Sequence, residues 1–284
     1  MQKVGIVTGA SSGLGKIMAK MLAQKGHIVY VVARRENLLQ DLKNECTGLG
    51  GEIRVIAGDL TEAGFRSSLI DQVKEEAGRI DFLFNNAGYG SLIYLEKQEE
   101  ADISKMYEVN CTAYQDLTKK VIPIMKDQGE GRIICICSIA GLNAPALFST
   151  YGATKYAVLG FMKPLRYELA KTGIHLGLVF PPRMRTDFWT TALKCYDISD
   201  EERQKTADIL TKNTADPEKI AQGAVKNLET KKFMILPHPM SWMAYNMLRH
   251  MYWFYDFFMN KFMLRQAIPL LREYKVKANY TQDL

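Results

Sequence analysis

The chain has 284 residues, 47% of them apolar, a formal charge of +6 and five cysteines. That length suits one large α/β domain or at most two small ones, with enough apolar residues for a sizeable core. A modest charge without a dense basic stripe argues against a nucleic-acid partner. The odd cysteine count, with Cys135 and Cys137 two apart in a strand pattern, argues against a disulfide framework or a metal site, and fits reduced thiols in the cytoplasm. No run of about 18 uncharged apolar residues reads as a transmembrane helix, and the first strand starts too near Met1 for a signal peptide.

Strands and helices alternate along the chain. "KVGIVTG" is an apolar strand ending in glycine, and a helix follows from Gly13 to about Lys25. "HIVYVVAR" is the second strand, with a helix from Glu36 to about Cys46. "IRVIAGD" is the third, and Thr61 is placed to cap a helix ending near Gly78. "IDFLFNNAG" is the fourth strand, before one long helix from about Glu99 to Asp127. "GRIICICS" is the fifth, before a helix from Thr150 to about Lys171 that Pro164 should bend. "IHLGLVF" is the sixth, ended sharply by Pro181 and Pro182, and a polar stretch runs on to about Thr214. Asp216 and Pro217 open another helix, and "KFMILP" is a seventh strand. Strands apolar on both faces, alternating with helices, predict a doubly wound parallel sheet in residues 1–236, with a helical extension over 237–284. In such a sheet ligands bind beyond the carboxyl ends of the strands, near the switch point.

After the first strand comes "TGASSGLG". Gly9, Gly13 and Gly15, with Ser11, Ser12 and Leu14 between them, allow a tight turn that brings backbone and a helix N-terminus to a pyrophosphate. After the second strand, an acid would hold a ribose 2′-hydroxyl, whereas an arginine accommodates a 2′-phosphate. Ala33, Arg34 and Arg35 stand there, so Arg34, assisted by Arg35 or Ser11, predicts NADP(H). Tyr151 and Lys155 lie four apart on one helix face, where a lysine cation favours the phenolate and lowers its pKa. Such a tyrosine can exchange a proton with a developing alkoxide, and Ser138, ending the fifth strand, can hold a carbonyl oxygen.

As a set, "TGASSGLG", "GDL" at 58–60, "NNAG" at 85–88, "VNCTA" with Asn110, Ser138 and "YGATK" resemble the short-chain dehydrogenase/reductase family. The resemblance covers about Lys3 to Leu236. It implies that Tyr151 is the general acid/base and Ser138 orients the carbonyl. Lys155 would hold the nicotinamide ribose and lower the Tyr151 pKa, and Asn110 would anchor a relay water. Asp59 and Leu60 would contact the adenine, and Asn86, Ala87 and Gly88 would support the adenine-ribose side. Pro181 matches the family's proline at the end of the sixth strand, with Met184 and Thr186 toward the cofactor. Pro182 replaces a glycine, a feature that resembles the 3-ketosphinganine reductase branch and demands another route for the loop. The family's usual assembly predicts a homodimer or homotetramer.

Tyr89, Tyr94, Asn143, Leu147, Phe148, Phe188 and Trp189 are the candidate substrate lining, and their character predicts a small lipophilic carbonyl or alcohol. In the extension, Met240, Met243, Met247, Met251, Phe254 and Phe258 recur at helical spacing, widened by Trp242, Tyr245, Tyr252, Trp253, Tyr255 and Phe257. Two readings stand: core or subunit packing, or peripheral membrane contact through 240–265, where Lys261 and Arg265 also fall. The alternative to an enzyme is a non-catalytic NADP(H)-binding sensor, for which an intact Asn110, Ser138, Tyr151 and Lys155 set has no use.

Overall fold

In a computed structural model, which describes residues 2–251, 253, 257, 267–272 and 274–284, the strand-forming runs pair into one seven-stranded sheet. They are β1 (Val4–Thr8), β2 (Ile28–Ala33), β3 (Glu52–Ala57), β4 (Phe82–Asn85), β5 (Gly131–Ile136), β6 (Ile174–Val179) and β7 (Met234–Ile235). Their order is β3-β2-β1-β4-β5-β6-β7 and every neighbouring pair is parallel. The order reverses between β1 and β4, which opens the crevice where such sheets take ligands. Gly5 pairs with Val29 on one side and Phe82 on the other, and a Cβ there would lie 2.2 Å from the Phe82 ring.

The period of two sorts the strand side chains between two cores. One face gathers Ile6, Tyr30, Val32, Leu83, Ile133 and Leu178. These pack on α3 (Ala63–Ala77), α5 (Ala113–Gln128) and α6 (Ser149–Glu168). The other face gathers Val7, Val29, Val31, Phe84, Ile134 and Val179 against α1 (Gly13–Gln24), α2 (Glu36–Glu45) and α9 (Pro217–Thr230). Each large aliphatic side chain removed from water in this way contributes roughly 1.5–3 kcal/mol. A third cluster, including Tyr89, Leu92, Phe148, Tyr196 and Tyr280, lies among the connections and the 267–284 segment.

Several boundaries differ from the sequence expectations. Thr61 caps nothing: Glu62 holds the N-cap position of α3, while the Asp59 carboxylate accepts from Thr61 N at 2.9 Å and closes a turn first. The long helix expected over 99–127 divides into α4 (Glu100–Tyr107), a π turn at Glu108–Thr112, and α5. The helix expected from Thr150 starts at Ser149 and ends at Glu168. It runs through Pro164, as α5 runs through Pro123; both prolines sit on the solvent side, where a carbonyl released by the missing N–H meets water. The polar stretch after β6 contains α7 (Phe188–Ala192) and α8 (Asp200–Leu210). Ser199 and Glu202 close a capping box on α8, and the "SDEE" signature was its available signal. Asp216 caps α9 as expected, accepting from Glu218 N at 2.9 Å, with Pro217 at the first helical position. In the extension, α10 (Pro239–His250) and α11 (Ala267–Arg272) are helical, while Phe254, Phe258, Tyr252, Tyr255, Lys261 and Arg265 lie outside the described residues.

Candidate active site

Thr8 joins the first and fourth strand ends. Its hydroxyl accepts from Asn86 N at 2.9 Å and Ala87 N at 3.0 Å, and donates to Phe84 O at 3.2 Å. The Asn86 amide returns to Thr8 O at 2.8 Å and Gly9 O at 3.2 Å, stitching the loop at 85–88 to the glycine loop. Gly9 and Gly13 have φ of +65° and +53°, where a side chain is strained. A Cβ on Gly15 would stand 2.4 Å from Gly9 O, so that glycine permits close approach, supporting the cradle without lining the cavity. The first turn of α1 holds no acid, which leaves its positive end available to an anion. Arg35 donates to Ser11 Oγ at 2.9 Å and Ser12 Oγ at 3.1 Å, and Arg34 donates to the main-chain oxygen of Leu284. Two cations and a helix N-terminus around an open glycine turn fit the phosphates of a dinucleotide. Buried Arg66, which sequence reasoning passed over, holds the adjacent loop: it donates to Leu60 O at 2.6 Å and to Glu108 and Asp116 at 2.7 Å each.

The end of β5 and the start of α6 form the opposite wall. Ser138 is extended and its hydroxyl accepts from Ala140 N at 3.1 Å. Tyr151 stands in the first turn of α6, and Lys155 lies one turn on, with Nζ donating to Ile136 O at 2.9 Å. That ammonium lies 5.8 Å from the centre of the Tyr151 ring. The sequence expectation that Lys155 lowers the Tyr151 pKa is not met here. Burial pushes the phenol above its ordinary value, opposed only in part by its hydrogen bond with Ser138, and burial pulls Lys155 down.

Asn110 sits in the π turn and is fully buried. Its amide donates to Tyr89 O at 2.8 Å and Thr154 Oγ1 at 3.0 Å, and its oxygen accepts from Tyr89 N at 3.0 Å. Thr154 in turn donates to Tyr151 O at 2.8 Å. The Asn110 side chain thus braces the wall from behind, and it does not line the cavity. The π turn was invisible to periodicity, although such turns gather at functional sites.

A cavity of 930 Å³ joins these parts. The glycine loop, Arg34, Arg35, Asp59, Leu60, Asn86, Ala87 and Gly88 line it at one end, and Pro181, Met184 and Thr186 reach it from the loop after β6. At the other end stand Ser138, Asn143, Tyr151 and an aromatic cluster. Phe148 and Phe188 each lie 5.3 Å from Tyr151, centre to centre, with Trp189 at 5.8 Å from Phe148. Trp189 is fixed by an indole bond to Met184 O at 2.9 Å. Of the expected lining residues, Tyr89 faces the cavity, but Tyr94 and Leu147 do not. Leu147 is buried in the third core cluster with φ of +70°, and Tyr94 packs against that cluster under Lys97. Beyond Pro182 the loop meets Ala215: Ala215 N donates to Arg183 O at 3.1 Å, and Met184 forms an isolated bridge with Ala215. Met240, Met243, Ala244 and Met247 of α10, with Leu284, supply wall that sequence reasoning did not assign to the site.

The family model for short chain dehydrogenase matches residues 3–196. The chain belongs to the short-chain dehydrogenase family. A 3-ketodihydrosphingosine reductase of Bacteroides thetaiotaomicron is 35% identical over 185 residues, 64% of this chain and 64% of that protein, so the match spans somewhat under two thirds of that relative. A 3-oxoacyl acyl-carrier-protein reductase of Vibrio cholerae is 33% identical over 77% of this chain and 86% of its own. Among solved structures, a short-chain dehydrogenase from Sphingobium yanoikuyae in complex with NADPH superposes with a TM-score of 0.74 at 27% identity, over 87% of this chain and 93% of that one. As a short-chain dehydrogenase, the chain is of an oxidoreductase family. Among its described residues no helix is long and apolar enough to cross a membrane.

Proposed function

We propose that this short-chain dehydrogenase uses NADP(H) to interconvert a lipophilic ketone and its alcohol, with Tyr151 as general acid/base. The observation that carries the reading is one cavity shared by the glycine loop, Arg34, Ser138, Lys155 and a Tyr151 set between Phe148 and Phe188. The cofactor supplies or accepts the hydride when bound. The glycine loop, Asp59, Leu60 and Asn86–Gly88 would hold its phosphate and adenosine parts, Arg34 and Arg35 its 2′-phosphate, and Pro181, Met184 and Thr186 its far end. Ser138 donates toward a substrate carbonyl oxygen. Tyr151, kept protonated by burial, gives its proton to that oxygen as charge develops there and takes it back in the oxidative direction. Lys155, anchored on Ile136 O, and Asn110, through Thr154, hold the tyrosine's helix turn in place.

The aromatic wall and the methionines of α10 favour an apolar substrate body. The printed names of the two relatives describe reductases of 3-keto and 3-oxo compounds, and the reading for this chain is a ketone of similar lipid-like character. NADPH consumption against a ketone panel tests it, with Tyr151→Phe expected to slow turnover by roughly 10²–10⁴-fold. Undiminished turnover in that variant would end the assignment. Exposed Tyr156 and Tyr167 on α6 support assembly as a homodimer or homotetramer; a monomeric mass in light scattering would remove it.

A further inference from the structure

The segment from Tyr274 to Leu284 is bound to the body of the protein at every turn. Asp197 N donates to Lys275 O and Lys277 N to Cys195 O, each at 2.8 Å, around a bridge between Tyr196 and Val276. Tyr274 stacks edge-on near Tyr196, and its hydroxyl meets Thr206 at 2.9 Å. Farther on, Tyr280 is fully buried. Its hydroxyl donates to Asp102 at 3.1 Å and accepts from Glu99 N at 3.2 Å. The Glu99 carboxylate receives Tyr280 N at 3.2 Å, Thr281 N at 3.3 Å and the Thr281 hydroxyl. Lys105 Nζ reaches Thr281 O at 3.4 Å. The anchors at Glu99, Asp102 and Lys105, on or beside α4, lie just before Leu284, which stands in the cavity wall, 6% exposed, with its main-chain oxygen accepting from Arg34.

Arg34 leaves the end of β2 on the exposed side of the chain and would otherwise sample many rotamers. A guanidinium has five donors, so one bond to Leu284 leaves most of the fork available to an anion. We infer that residues 280–284 are a positioning element for Arg34, holding its guanidinium in the cavity wall and thereby setting the preference for a 2′-phosphorylated adenosine ligand. The inference rests on the NADP(H) reading above and adds to it the group that aims the arginine. Asp102 extends the same device. Its second oxygen accepts from Tyr89 OH at 3.0 Å, and Tyr89 holds Asn110 through its backbone, so the segment and the catalytic wall share one buried carboxylate.

The test reads binding, not turnover. Calorimetric titration with adenosine 2′,5′-bisphosphate and with adenosine 5′-monophosphate gives the preference as a ratio of dissociation constants. It is compared in the parent chain, Glu99→Gln, a chain ending at Asn279, Arg34→Ala, and Glu99→Gln combined with Arg34→Ala. A charge-assisted bond of ordinary strength predicts a ratio of roughly tenfold or more in the parent. Glu99→Gln, which keeps the whole chain, and the shortened chain should each bring the ratio several-fold toward one. Adding Glu99→Gln to Arg34→Ala should change nothing more, because the segment acts through the arginine. If both segment variants keep the parent ratio, or raise it, while Arg34→Ala abolishes it, the positioning role is overturned and the cofactor reading stands. If Arg34→Ala keeps the parent ratio, the cofactor reading itself fails.

Discussion

Tyr151 has the most direct chemical consequence of any single residue here. Burial raises its pKa, and a raised pKa keeps the phenol protonated above the usual tyrosine value of about 10. In the proton-donor role proposed for it, Tyr151 leaves reductive kcat/KM insensitive to its own ionisation up to that pH. A fall in reductive rate between pH 7 and 9 that tracks Tyr151 ionisation in a spectroscopic titration would contradict this. The expectation from sequence ran the other way, because Tyr151 and Lys155 four apart on a helix read as a charge beside a phenol. What spacing could not show is that Lys155 is buried with one Nζ donor held by Ile136 O, and that partial burial at the cavity wall shifts both groups. The glycines, Ser138, Tyr151 and Lys155 were legible because each role demands a particular residue type. Tyr94 and Leu147 were misassigned because an apolar side chain near a site looks the same whether it faces the cavity or the core behind it.

At the scale of elements, periodicity located the strands and most helices, and failed where polar or local contacts decide. The π turn at Glu108–Thr112 holds an extra residue in a run that otherwise reads as continuous helix, and buried Asn110, clasping the backbone of Tyr89, occupies it. The α8 helix was hidden by a polar surface, yet its capping box was written in Ser199 and Glu202. Ser199→Ala removes the acceptor for Glu202 N and should cost about 1 kcal/mol. Denaturant unfolding measures that loss, and an unchanged midpoint would show that the cap contributes nothing. After Pro182 the loop bridges to Ala215 at Met184, and Thr186 comes within 3.6 Å of a Cβ position on Gly13 at the cavity wall.

Across the whole molecule, two properties stand out. Tyr89, Tyr114, Tyr151, Tyr196 and Tyr280 all have pKa values pushed up by burial. Above pH 10 the unfolded chain gives up these protons while the folded one keeps them, so stability is whole below about pH 10 and falls as pH rises beyond it. Each tyrosine still neutral in the fold costs about 1.4 kcal/mol per pH unit there. Thermal unfolding at pH 8, 10 and 11 should show Tm level at first and then dropping; a level Tm throughout would refute it. The second property is a set of exposed apolar side chains on α10 and after it, with Trp242, Met251, Trp253 and Phe257 43–73% exposed. We propose that these side chains make peripheral contact with a lipid surface. Liposome flotation of the full chain should exceed that of Trp242→Glu with Met251→Glu, and equal flotation would discard the contact.

By itself, the sequence determined the doubly wound sheet, the glycine-rich turn and the residues proposed to react. Strand period, glycine conformation and side-chain chemistry are local properties that a chain states in order. Only the tertiary structure decided which apolar residues face the cavity, how burial sets the Tyr151 pKa, and that α10 and residues 280–284 close the site. Those are contacts between segments more than a hundred residues apart, such as Glu99 with Tyr280 and Arg34 with Leu284. Their energies come from burial and hydrogen bonding that no local pattern of residues contains.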